Sequence, residues 1–367
     1  MKRREFLKNA IASAAAGSAL VGCGNEQASS GPAVVSRDKI RWRLASSFPQ
    51  SLDTLYGATE YVVERVAAMT NNAFEIRPYP AGELVPGLEV LDAVQQGTVQ
   101  IGQSASYYYV GKNPALAFDT CVPFGMTARQ KSAWLHQGGG LELMRELFSD
   151  YNVINFPAGN TGAQMGGWFN REISTLEDLK GLKMRIPGMG GKVMSKLGVS
   201  VQVIAGGEIY PALERGAIDA TEWVGPYDDE KLGFHNVANY YYYPGWWEPG
   251  PSLSFYVNQT AWDNLPSDYQ AILTAAFREA ELMMTARYDA RNPPAFKRLL
   301  ASGVDIRPFS DEIMSKAQQE ATELFEDYAA QDPGYRKVYD AWKVAKDDMV
   351  EWFGTAELAY AQFVSKQ

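Results

Sequence analysis

From Ile40 onward, Ile40-Arg41-Trp42-Arg43-Leu44-Ala45 alternates apolar and charged side chains, the period of a half-buried strand. Ser46-Ser47-Phe48-Pro49 breaks that alternation, and the period then changes. Across residues 53–69, Leu55, Ala58, Tyr61, Val62, Val66 and Met69 recur on one face of a helix. Residues 73–79 and 99–102 predict two further strands. Between them Pro86 opens a helix, at a position where its missing N–H costs nothing. The first third therefore reads β-α-β-α-β, which implies a largely parallel sheet flanked by helices.

A helical stretch over 127–150 separates this block from a second one. There, strand-like pieces recur at 153–157, 164–169, 183–186, 199–204 and 219–224, with helical pieces between them, including 208–215. The pattern is again α/β, and two α/β domains crossed several times by the chain form a cleft suited to a small ligand. The boundaries expected are 38–160 plus about 251–291 for domain I, 161–250 plus about 292–330 for domain II, and 331–367 for a C-terminal helical extension. The amphipathic helices 267–291, 311–330 and 335 to the end exceed what two small domains need. They either cover the sheets, or clamp the domains and meet a partner subunit.

Composition narrows the function. The net charge of −9 repels phosphate backbones, so nucleic acid is not an expected partner. With only Cys23, Cys121, His136 and His235, neither a Cys/His zinc site nor an iron–sulfur site is expected. At the N-terminus, Lys2, Arg3, Arg4 and Lys8 precede an apolar run, 11–21, too short to span a bilayer. Arg3-Arg4-Glu5-Phe6-Leu7-Lys8 resembles a twin-arginine export signal, and Leu20-Val21-Gly22-Cys23 resembles a lipobox. Residues 1–23 are thus read as a signal and 24–37 as a flexible tether, with lipid attached at Cys23. The plainer alternative is an incidental cysteine in a cleaved signal.

Enzyme motifs are incomplete. Gly102-Gln103-Ser104-Ala105-Ser106 lacks the last glycine of a nucleophile elbow. Gly188-Met189-Gly190 follows a predicted strand, but Val193 stands where a dinucleotide fingerprint needs its third glycine. Its glycines would let backbone N–H groups approach an anion at a helix N-terminus. Asp228-Asp229, with many Trp and Tyr, suggests a glycosidase. Neighbouring acids on one helix point different ways, however, and are read as solvated charges.

One region combines loop glycines with Gln, Arg, Glu and aromatics: Asn160 through Trp168, Lys183-Met184-Arg185-Ile186, Ala220 through Tyr227, and Tyr240 through Glu248. Here the chain resembles the DctP-type extracytoplasmic receptors of tripartite ATP-independent periplasmic (TRAP) transporters. The resemblance rests on Leu182-Lys183-Met184-Arg185 and on the run from Gly207-Glu208-Ile209-Tyr210-Pro211 to Asp219-Ala220. Leu84-Val85-Pro86-Gly87 and the Tyr/Trp cluster are similar to the branch that binds α-keto acids. The resemblance implies a two-domain periplasmic binding protein fold, α/β, with a ligand cleft between domains and long C-terminal helices. It implies a binding protein, not an enzyme.

It further implies that Arg185 receives the ligand carboxylate through its guanidinium fork, which Lys cannot reproduce. The alternative for Arg185 is a strand-end salt bridge. Gln164, Glu222 and the Trp223 carbonyl match the ligands of a cation that bridges to the bound acid, and Glu248 is counted with them. Oxygen donors suit Na⁺ or Ca²⁺. The alternative for Gln164 and Glu222 is a buried hydrogen-bonded pair. Asn160 is a plausible polar neighbour. Phe48, Tyr107, Tyr108, Trp223 and Trp246 are candidate walls that could equally be core. Implied partners are a small 2-oxo monocarboxylate such as pyruvate, TRAP membrane subunits in the periplasm, and a second copy paired through the extended C-terminal helix. A carbohydrate-active hydrolase exported by the same route and a sensory binding protein remain as other readings.

Overall fold

Eleven strands form two sheets in the computed structural model, which describes residues 39–366. The signal, the tether and Cys23 lie outside the described residues. In chain order the strands are β1 (Ile40–Ser46), β2 (Phe74–Tyr79), β3 (Ile101–Ser104), β4 (Val153–Asn160), β5 (Trp168–Phe169), β6 (Lys183–Arg185), β7 (Ser200–Gln202), β8 (Ala220–Thr221), β9 (Tyr240–Tyr243), β10 (Ser252–Asn258) and β11 (Asp305–Pro308). The first sheet runs β2-β1-β3-β10-β4 and the second β11-β9-β5-β8-β6-β7.

In the first sheet β1 is parallel to both β2 and β3, as the β-α-β-α-β pattern requires, because helices Leu55–Met69 and Val90–Gln95 carry the crossovers. β10 returns antiparallel between β3 and β4. The chain leaves this sheet after β4, builds the second from β5 to β9, returns as β10, and crosses again to β11. The architecture is thus α/β with two sheets and long C-terminal helices.

Several predicted elements differ from those observed. The stretch 127–150 divides into Ala128–Gln137, which carries a Thr127/Gln130 capping box, and Gly140–Ser149, because Gly139 takes φ +79°. The strand expected at 164–169 shrinks to Trp168–Phe169, and that at 219–224 to Ala220–Thr221. Gly167 is the cause. It has φ +82°, and a Cβ there would lie 2.4 Å from the Thr221 carbonyl oxygen, so two backbones meet where a ladder would have continued. Gly167→Ala should cost at least about 1–3 kcal/mol of stability, read as a lowered urea midpoint. A midpoint equal to wild type would show that this close approach is not required.

The helix predicted to end at 291 runs from Ser267 to Ala301, through Pro293 and Pro294. Each proline deletes one i→i−4 bond. The helix survives them because its first half is already anchored: Phe277 stacks on Phe255 at 4.8 Å and meets Phe156 at a tilt at 5.0 Å. Helix Pro333–Phe353 packs Tyr335, Tyr339 and Trp342 around Phe118. Near its end Trp352 is exposed, and beyond it so are Tyr360 and Phe363. No helix among the described residues is long and apolar enough to cross a membrane.

Candidate ligand-binding site

Strand β6 lies between β7 and β8, all parallel, and its register sets Arg185 beside Thr221. Glu222 follows directly, so two short strands bring a guanidinium and a carboxylate together. Arg185 is 1% exposed and Glu222 0%. Arg185 Nε donates to the Ile204 carbonyl at 3.2 Å, and Nη1 donates to Glu222 Oε1 and, at 3.4 Å, to the Glu222 carbonyl. The strand-end salt bridge is therefore present, yet it occupies only one arm of the fork. Nη2 has no hydrogen-bond partner among the described residues, and neither does Glu222 Oε2. The Trp223 ring lies 5.2 Å from the guanidinium carbon, within cation–π range.

Gln164 arrives from the irregular segment that Gly167 creates. Its backbone N–H donates to the Glu248 carbonyl at 3.2 Å, and its own carbonyl accepts from Gly245 at 3.0 Å, which fixes the loop against the β9–β10 connection. Nε2 donates to Thr161 Oγ1 at 3.1 Å, while Oε1 has no partner among the described residues. Glu248 is buried, with the Tyr107 hydroxyl 3.4 Å from Oε2.

Burial dominates the electrostatics. It pushes Glu222 up to about 7 even though Arg185 pulls the other way. Burial, then the Glu222 charge, push Glu248 well above the usual carboxylate range. For Arg185, burial works against the charge, but Glu222 and the tyrosines Tyr108 and Tyr107 hold its pKa above the ordinary value.

Beside these groups lies a pocket, partly open to solvent, that takes in about 260 Å³ of space. Of the residues expected from sequence, Phe48, Tyr107, Tyr108, Gln164, Arg185 and Trp223 line it. Glu222 and Glu248 stand behind that wall. Trp246 does not reach it; its ring stacks on Phe124 at 5.1 Å. Asn160 is also off the wall: its Nδ2 donates to the Gly250 carbonyl at 3.1 Å and its Oδ1 accepts from Gly162 N–H at 2.9 Å, so both ends shape the loop. Leu55, Thr161, Val224 and Leu253 line the pocket without having been expected. Thr161 and Val224 lie within the singled-out runs but were not named as site residues. Leu55 and Leu253 sit at apolar positions of a helix and a strand, where a pocket wall and a core contact look alike. The lining thus combines polar groups, Arg185, Gln164 and Thr161, with apolar ones, Phe48, Leu55, Val224 and Leu253, beside Tyr107 and Tyr108.

One sequence reading needs correction, and another gains a packing reason. The Gly188-Met189-Gly190 glycines are required by neighbouring aromatic rings. A Cβ on Gly188 would meet Tyr107 at 3.0 Å and one on Gly190 would meet Trp247 at 2.7 Å, so aromatic rings fill that space. Asp228 and Asp229 are not solvated; they are 0% and 1% exposed. Asp229 accepts from Trp168 Nε1 (3.0 Å), the Tyr241 hydroxyl (2.7 Å) and the N–H groups of Val224 and Gly225 (3.2 and 3.1 Å). Asp228 accepts from Thr54 and Tyr288. They do point different ways, but into protein on both sides.

Burial raises Asp228 to about 6 and Asp229 to about 7, from an ordinary 3.8. The folded state therefore holds these protons more tightly than the unfolded chain. Their contribution to stability is full below about pH 3.8 and is lost as pH rises through 6 to 7. Asp228→Asn, which keeps the shape and removes one titration, should reduce the gain in melting temperature of ligand-free protein between pH 8 and 5. An identical pH profile for the two proteins would refute this.

No cluster of three or more His, Cys, Asp or Glu side chains suited to a metal occurs among the described residues. Any cation here would rely on mixed oxygen donors, and two such buried oxygens, Gln164 Oε1 and Glu222 Oε2, stand unpaired.

Comparison with known proteins sets this geometry in context. Residues 45–332 match the bacterial extracellular solute-binding proteins, family 7. A monocarboxylate 2-oxoacid-binding periplasmic protein of Nostoc sp. is 56% identical, over 100% of this chain and 99% of the relative. A TRAP transporter solute-binding protein from Bordetella bronchiseptica, solved as a mixed-occupancy dimer with calcium and picolinate in its active site, is 48% identical with a TM-score of 0.89, over 90% of this chain and 98% of that one. A TRAP periplasmic solute-binding protein from Pseudoalteromonas atlantica with bound sodium and pyruvate is 43% identical with a TM-score of 0.86, over 89% and 99%. A TM-score of 0.89, identities of 43% to 56% and similarity over nearly the whole chain agree: the chain belongs to the bacterial extracellular solute-binding proteins of family 7, the TRAP receptors, and is a solute receptor rather than an enzyme.

Proposed function

We propose that this receptor binds a small 2-oxo monocarboxylate, pyruvate-like, and passes it to TRAP membrane subunits in the periplasm. The observation that carries the reading is that the buried polar atoms without a partner at this pocket include Arg185 Nη2, Gln164 Oε1 and Glu222 Oε2, beside Trp223 Nε1. A buried polar atom left unpaired costs about 1–3 kcal/mol, so three together mark the outline of a missing polar guest. The open arm of Arg185 takes the ligand carboxylate. The two oxygens, with the Trp223 carbonyl and with Glu248 nearby, suit Na⁺ or Ca²⁺. A cation there supplies a positive bridge between the ligand and Glu222, which would otherwise repel each other.

Pyruvate and picolinate, held by the two neighbours, support this, because each places a second donor atom on the carbon beside its carboxylate. The apolar side chains of the lining accept a short tail, and Arg185 is the one cation there among the described residues, which suits a single carboxylate. The first sheet with residues 38–160 and 251–291, and the second with 161–250 and 292–330, act as two lobes that close over the ligand. Twin-arginine export with lipid on Cys23 would tether the receptor. The exposed Trp352, Tyr360 and Phe363 would pair with a second copy.

Isothermal titration with pyruvate and 2-oxobutyrate tests the reading. Binding is expected in Na⁺ buffer, and a loss of at least about tenfold in chelator-treated K⁺ buffer. Equal affinity in both buffers would remove the cation from the reading. Failure of both acids to bind would remove the ligand class.

A further inference from the structure

Asp228 reaches away from its own sheet. Its Oδ1 accepts from Thr54 Oγ1 at 2.7 Å, at the start of the first helix of the first sheet, and its Oδ2 accepts from Tyr288 at 2.6 Å on the 35-residue helix. Beside it, the Tyr227 hydroxyl donates to the Asp53 carboxylate at 3.1 Å and accepts from Arg291 Nη1 at 2.7 Å, while Lys231 also pairs with Asp53. The elements joined belong to different sheets. Helix Leu55–Met69 packs on β2, whereas helix Pro226–Leu232 lies between β8 and β9 and is tied to the second sheet through Asp229. The two prolines of the long helix fall just past this point, at 293 and 294, where lost backbone bonds leave it easiest to bend. None of Asp53, Thr54, Tyr227 or Asp228 lines the pocket, although Leu55, next to Thr54, does.

We propose that the pairing of Asp53-Thr54 with Tyr227-Asp228 is a latch that holds the two lobes closed, setting ligand affinity and escape rate without touching the ligand. The inference rests on the two-lobe receptor reading above. A contact made only in the closed form shifts the open–closed equilibrium by its own free energy, and every ligand that needs closure feels the same shift. The latch therefore acts on dissociation, since the ligand enters the open form.

Thr54→Val keeps the shape and deletes the donor to Asp228. Pyruvate affinity should fall about tenfold, as for a lost hydrogen bond to a charged group, with the loss in the off-rate. 2-Oxobutyrate should lose the same factor, and Asp53→Ala, at a partly exposed position, should act in the same direction. Small-angle X-ray scattering of the ligand-free variants should show a radius of gyration larger than that of wild type. Wild-type affinity together with a wild-type radius in both variants would overturn the latch, even if their melting temperatures fell. A loss that differed between the two acids would overturn it too, because it would place these residues in the pocket chemistry. Should wild type bind neither acid, the ligand assignment fails separately. The scattering still decides the latch: expansion supports it, and an unchanged radius overturns it.

Discussion

Arg185→Ala should weaken pyruvate binding by about thirtyfold to several thousandfold, and Arg185→Lys should restore little of it. Truncating one member of a buried, charge-assisted pair costs about 2–5 kcal/mol, and each 1.4 kcal/mol is tenfold. Arg185 is buried and lines the pocket, with one arm of its fork already on Glu222 and the other without a partner among the described residues. A lysine ammonium can replace the charge but not two parallel donors in one plane. The variant should remain folded. Burial already raises Glu222 to about 7, so losing its cationic partner leaves a carboxyl that takes up a proton instead of an isolated buried charge. Titration calorimetry beside circular dichroism reads both parts. Affinity within about threefold of wild type would move the carboxylate site elsewhere.

The largest stability loss is expected from Asp229→Ala, about 3–5 kcal/mol by urea denaturation, a large share of the 5–15 kcal/mol typical of a folded domain. Alanine would strand the Trp168 indole N–H, the Tyr241 hydroxyl and the N–H groups of Val224 and Gly225 inside the protein. Trp168 and Tyr241 stack at 4.1 Å and hold β5 against β9, so little can move to reach water. A loss below about 1 kcal/mol would mean that water enters and replaces the carboxylate.

How much of this was legible in the sequence depended on whether neighbours along the chain or across the fold decide the outcome. Alternation at 40–45 and the helical stripe at 55–69 reflect local geometry, and they appear as expected. Strand ends at 164–169 and 219–224 were overrun because Gly167 meets Thr221 across the fold, which no local period encodes. Arg185, Gln164 and Glu222 lie far apart in sequence and carry no pattern of their own; family resemblance singled them out, and in the structure Arg185 and Gln164 line one pocket while Glu222 pairs with Arg185 behind it. Asp228 and Asp229 were misread because solvation is decided by what packs over a helix. Nothing in an acidic pair announces that Tyr288 and Trp168 will cover it. Leu55 and Leu253 were invisible as wall residues for the reason that any apolar side chain in a regular element is.

The opposed orientation of Asp228 and Asp229 has a practical consequence for mutational scans of helix Pro226–Leu232. Changes at 229 should show up as scarcity, with fewer correctly folded receptors whose surviving copies bind normally. Changes at 228 should show up as haste as well, with the receptors that do fold letting their cargo go too soon. A growth assay that scores only uptake would merge the two. Measuring abundance and uptake separately should resolve them into two phenotypes, one residue apart.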